Sequence, residues 1–133
     1  MLLFCSLAGC AKKNEIERVE DIEFTVCDES RMPEELKGLI QSRQEEPCKF
    51  TFSNQEYLYI VVCYGKQERA NMQITVDDLY TSTNAIYVQT TLKGNREETT
   101  ENGTMTESSE AILTYPYIVI KCQYYDLPVV FLQ

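Results

Sequence analysis

The chain has 133 residues, room for one domain and one core. Apolar residues make up 44% and charged residues 25%, which argues against global disorder. A formal charge of −9 repels phosphate backbones and excludes nucleic acid as a partner, and the absence of histidine removes the usual near-neutral base and metal ligand.

Nine Tyr, five Phe and many Val, Ile and Thr make strands the compositional expectation. The first element is an apolar run, Met1 to Gly9, ending in Leu7-Ala8-Gly9-Cys10. Those last four residues resemble the lipobox of bacterial lipoproteins. That resemblance implies a diacylglyceryl group on the Cys10 sulfur and cleavage just before it. Lys and Arg are absent before Cys10, so residues 1–9 are expected to be the remnant of a signal peptide whose basic start lies upstream. The competing reading is a buried N-terminal strand with two ordinary cysteines. Residues 10–20 then form a lipidated Cys and polar tether, and residues 21–133 a β-rich domain. An acidic domain is held off anionic lipid, so membrane attachment requires such an anchor.

Ile22, Phe24 and Val26 alternate with Glu23, Thr25 and Cys27, the period of a half-buried strand. Pro33 then opens a helix at its first turn, Leu36, Leu39 and Ile40 form the apolar stripe, and Pro47 stops it. Lys49 to Phe52 is a short strand followed by a polar turn at Ser53-Asn54-Gln55. Tyr57 to Cys63 is apolar on both faces and reads as the central strand. Met72 to Val76 alternates again. After a turn over Thr81–Asn84 comes Ala85 to Leu92, with Ile86 and Val88 on one face and Tyr87 on the other. Residues 93–109 are polar and are expected to be a mobile loop or a long hairpin connection, not a second domain. Ala111 to Tyr125 returns to strand character, interrupted at Pro116, and Val129 to Leu132 makes an edge strand. The fold class is α+β and β-dominated: one N-terminal helix with an antiparallel sheet or sandwich of about six to eight strands.

Once Cys5 is cleaved away and Cys10 is acylated, Cys27, Cys48, Cys63 and Cys122 remain as disulfide candidates, and four cysteines permit three pairings. Cys27 and Cys48 flank the helix, while Cys63 and Cys122 both sit late in long strands. The expected bridges are therefore Cys27–Cys48 and Cys63–Cys122. The alternative is four buried thiols. No C-x-x-C pair and no His supports a zinc site, so neither metal nor cofactor is expected.

Several segments stand in order: Tyr57-Leu58-Tyr59-Ile60-Val61-Val62 leading into Gly65, Ile74-Thr75-Val76 with Leu79-Tyr80, and Ala85-Ile86-Tyr87-Val88. The most specific is Thr114-Tyr115-Pro116-Tyr117-Ile118-Val119-Ile120-Lys121, followed by Leu127-Pro128-Val129-Val130-Phe131. Together they are similar to the protease complex subunit PrcB family, C-terminal domain. The resemblance implies an exported, often lipid-anchored, non-catalytic domain whose named relative associates with a surface protease. After Gly65 the family usually carries a Thr-Gly-Gly-Tyr turn, similar to the loop that chagasin-like inhibitors insert into protease clefts. Here Arg69, Ala70, Asn71 and Met72 stand at those positions. Glycine permits φ > 0, Ala resists it, and Asn71 can adopt it.

Lys66, Arg69, Ala70, Asn71 and Met72 thus form the candidate partner-contact loop. The adjacent acids Asp77-Asp78 and Glu97-Glu98 read as solvated turn acids, since strand neighbours point to opposite faces. Most tyrosines are expected to pack within the sheets. Lys121 alternates with apolar residues and is expected on a sheet face or snorkelling at an edge. The leading expectation is a non-enzymatic accessory module on the extracytoplasmic face of the cell membrane, partnered by an exported protease or other surface protein. The alternative is a protease inhibitor acting through the loop at 66–72.

Overall fold

The computed structural model describes residues 18–94 and 113–132. Cys10, the residues before it and Glu97-Glu98 lie outside the described residues. The strands are β1 (Glu20–Asp21), β2 (Thr25–Val26), β3 (Pro47–Ser53), β4 (Tyr57–Tyr64), β5 (Met72–Thr81), β6 (Ile86–Gly94), β7 (Tyr117–Gln123) and β8 (Val129–Leu132), with helix α1 at Glu34–Arg43. They form two four-stranded sheets, β1-β5-β6-β8 and β2-β7-β4-β3. Every pairing is antiparallel except β6 with β8, which run parallel because β7 crosses to the second sheet between them.

The β4 sequence explains the layering. Leu58, Ile60 and Val62 point into the space between the sheets, where they meet Ile118, Ile120, Leu79, Ile86 and Val88. Tyr59, Val61 and Cys63 point the other way, onto Leu36, Ile40, Met32 and Val119. A strand buried on both faces therefore separates two cores, and alternation alone assigns each side chain. The order of layers is sheet, sheet, helix.

α1 forms where its stripe can reach that second core. Leu36 and Ile40 are buried, and each stabilises by about 1.5–3 kcal/mol on transfer from water. Pro33 stands one place earlier than expected, as the cap residue with φ −60 and ψ 143, and its carbonyl accepts from Lys37 N at 3.0 Å. Pro47 does more than end the helix. It is the first residue of β3.

The expected strand over 22–27 is broken. Glu20 and Asp21 pair with β5 in one sheet, whereas Thr25 and Val26 pair with β7 in the other. The chain crosses the sandwich between them, so a single alternation cannot hold. Ile22 is buried, but Phe24 is 38% and Val26 58% exposed, while Cys27 is buried. Sheet pairing also begins early: Val19 N donates to Thr81 O at 2.7 Å, and Arg18 reaches Asp78 at 2.9 Å. The last residues of the expected tether are therefore part of the sandwich.

Candidate functional site

β4 ends at Tyr64, whose N–H donates to Pro116 O at 3.0 Å. The next residue, Gly65, has φ 80 and is buried against Pro47. A Cβ there would stand 2.8 Å from Pro47 Cδ and 3.0 Å from Pro47 N, so the turn requires glycine twice over. Gln67 and Thr114 then exchange two backbone hydrogen bonds of 2.8 and 2.9 Å. Gln67 Nε2 donates back to Tyr64 O at 3.2 Å, and Thr114 Oγ1 donates to Arg69 O at 2.9 Å.

Asn71 carries φ 57, the left-handed turn that returns the chain to β5, while Ala70 stays out of that region. The Arg69 guanidinium lies across Gly94, where a Cβ would come within 3.2 Å of it. Lys66, Glu68, Arg69 and Asn71 are exposed, and Gln67, Ala70 and Met72 are half-buried. Four of the five loop residues singled out from sequence, Lys66, Arg69, Ala70 and Asn71, lie on this stapled turn. Met72 belongs to β5, opposite Gly94, and not to the tip. Thr114, which ties the loop down from 45 positions away, gave no local signal.

The acidic pair differs from expectation. The β5–β6 register shifts between Val76 and Asp78, and this bulge removes the simple alternation at Asp77. Asp77 accepts from Thr91 Oγ1 and from Thr75 Oγ1, while Asp78 accepts from both Arg18 guanidinium nitrogens. The Thr91 and Thr75 bonds hold Asp77 below the ordinary carboxylate range. The Arg18 bonds do the same for Asp78. Both are ionised at neutral pH, and neither is a proton donor there. Arg18 also covers the Tyr80 ring at 4.0 Å, and Tyr80 stacks on Tyr87 at 5.4 Å.

Lys121 snorkels over tyrosine faces, with Nζ 4.1 Å from the Tyr57 ring centroid and 6.0 Å from Tyr59. Of the nine tyrosines, only Tyr57 and Tyr124 are exposed. Tyr124 lines a shallow depression with the Ser53–Glu56 turn.

The cysteines do not stand as the expected bridges require. Cys122 faces the core between the sheets and Cys63 the helix, and Cys122 lies opposite Leu58, at the other end of β4. Cys27 follows β2, which is separated from β3 by β7 and β4, a span of roughly 14 Å at ~4.8 Å per strand. Neither distance suits a disulfide. All four thiols are free. Burial pushes Cys63 up to about 12 and Cys122 up to about 11, so both are protonated at neutral pH. Among the described residues, no group of three His, Cys, Asp or Glu side chains is placed to hold a metal ion, and no helix is long and apolar enough to cross a membrane.

Residues 58–123 match the family model described as PrcB C-terminal. That segment is a PrcB C-terminal domain. It runs from β4 to β7 and includes the whole stapled loop. No curated protein and no solved structure gives a match. Within the PrcB segment, the Gly65 turn and the Tyr115-Pro116-Tyr117 entry to β7 are joined directly, through Tyr64 N to Pro116 O and the Gln67–Thr114 pair.

Proposed function

We propose that this chain is a non-catalytic accessory subunit that docks on an exported protease assembly, held at the extracytoplasmic face of a membrane by lipid on Cys10. The PrcB C-terminal match over 58–123 carries this reading. The contact surface is the end of the sandwich bearing Lys66, Glu68 and Arg69. A loop already stapled at Gln67 and Thr114 loses little conformational freedom on docking, which favours affinity.

The test is affinity capture of the full chain from detergent-solubilised membranes, with mass spectrometry of what is retained and of the Cys10 peptide. A co-purifying protease and a diacylglyceryl mass on Cys10 are expected. The double variant K66A/R69A should weaken capture about tenfold or more while leaving the melting temperature unchanged. Capture of no protease, or an unmodified Cys10 thiol in the mature chain, would refute the proposal.

A second reading is inhibition of a protease by insertion of the same loop. The left-handed Asn71 favours it, because it keeps one tight turn where the family has glycine. It predicts inhibition that is lost in R69A or M72A, whereas an accessory subunit leaves proteolysis intact.

A further inference from the structure

Cys48 and Cys63 stand directly opposite each other in the antiparallel β3–β4 ladder. The hairpin fixes that register. Asn54 N donates to Tyr57 O at 3.1 Å, and Asn54 Oδ1 accepts from Glu56 N and Tyr57 N, closing a tight turn. Six steps outward from each member of the Asn54–Tyr57 pair come Cys48 and Cys63. Facing residues in such a ladder have Cα atoms about 4.5–5.5 Å apart, inside the roughly 4.4–6.8 Å that a disulfide spans. Both side chains lie on the helix side of the sheet, in one cluster. Cys48 is partly exposed, with Sγ 3.7 Å from Arg43 O at the end of α1, whereas Cys63 is buried.

We propose that Cys48 and Cys63 form a thiol–disulfide site, closed by exchange with an oxidised dithiol or another disulfide-bearing oxidant. The solvent-open Cys48 loses its proton and attacks one sulfur of the oxidant, whose other sulfur leaves as thiolate. Cys63 then loses its proton and attacks Cys48 Sγ, expelling the second thiolate. Two electrons and two protons pass to the oxidant, which leaves as two thiols, and one S–S bond joins β3 to β4. Burial keeps Cys63 protonated, so its attack quickens as pH rises. Cys27 and Cys122 take no part, the first two strands beyond β4 and the second on the opposite face. The bridge gives up the Cys48 thiol proton that reaches Arg43 O, and it fixes β3 beside Pro47, the residue packed on Gly65 at the root of the loop. None of this depends on the identity of the partner.

Trypsin separates the four cysteines: cleavage after Arg18, Arg31, Arg43, Lys49, Lys66 and Lys121 leaves Cys27 in 19–31, Cys48 in 44–49, Cys63 in 50–66 and Cys122 in 122–133. The reduced full chain is incubated with oxidised glutathione at pH 8, alkylated, and digested without reduction. A 44–49/50–66 species two hydrogens lighter than its parts is expected, with Cys27 and Cys122 alkylated. The bridged protein should melt about 10 °C higher, as expected for closing a loop of about fifteen residues, and dithiothreitol should reverse the shift. C48S should show neither effect. A bridge to Cys27 or Cys122, alkylation of all four thiols, a glutathione adduct that stays on Cys48, or a bridged form that melts no higher would each overturn the proposal.

Discussion

Replacing Gly65 by Ala puts a methyl group where the loop root has no room for one. Gly65 sits at φ 80, and a Cβ would lie 2.8 Å from Pro47 Cδ, 3.0 Å from Pro47 N and 3.1 Å from Pro47 Cγ. An L-residue in the left-handed region costs about 1–2 kcal/mol. The contacted atoms belong to a proline ring and to backbone, at the start of a strand paired with Tyr64, so neither can swing aside. Crowding of this kind adds about 1–3 kcal/mol. G65A should therefore lose about 2–5 kcal/mol, a fall in melting temperature of roughly 8–20 °C for a chain of this size. Gly38 is the internal control, exposed in the middle of α1 with nothing within 4 Å of its Cβ position. There the same substitution should stabilise by about 0.5–1 kcal/mol, because glycine in a helix interior is unfavourable. Urea unfolding followed by circular dichroism measures both, read as a change in midpoint at constant slope. Equal effects at the two positions, or a G65A midpoint within error of the wild type, would refute the account of the loop root.

L36A removes the fully buried side chain at the centre of the helix core and should cost about 2–5 kcal/mol in the same assay, with α1 signal lost first on heating. Acid sensitivity follows from Asp77 and Asp78, whose folded values lie below the unfolded value of about 3.9. Their stabilisation is complete above pH 4 to 5 and disappears as pH falls through the folded values. The melting-temperature gap between wild type and D77N/D78N should therefore narrow from pH 6 to pH 2, and a gap constant over that range would count against the Thr91, Thr75 and Arg18 contacts.

Patterns confined to a few neighbours were legible in the sequence. The two-faced apolar run of β4, the proline-bounded helix and the Ile86/Tyr87/Val88 split of β6 each follow from one period and one strand or helix. The loop was legible because its residues are contiguous and the resemblance marked them. What failed required knowing which sheet a residue joins. Residues 22–27 alternate faultlessly, yet the chain leaves one sheet at Asp21 and enters the other at Thr25, so the phase that buries Ile22 exposes Val26. The extra residue at Asp77 erases alternation for a similar reason: a bulge is set by the partner strand, here β6, and by the Thr91 hydroxyl that Asp77 accepts from.

The cysteines show where the missing information lay. Pairing them by their position late in long strands treats β4 and β7 as if they ran side by side in the same direction. They run antiparallel, so Cys63 near the end of β4 faces Tyr117 at the start of β7, and Cys122 faces Leu58. The neighbour of Cys63 was nevertheless encoded locally. Asn54 is a turn residue whose side chain caps Glu56 and Tyr57, and a hairpin closed by Asn54 and Tyr57 fixes every later pair by counting outward. That count reaches Cys48 and Cys63 together, on the helix side. Had Asn54 been followed by one more residue before the return strand, the register would shift by one, Cys48 would face Val62 or Tyr64, and the thiols would part to opposite faces. The turn, through a single asparagine, therefore decides whether this domain carries a closable thiol pair.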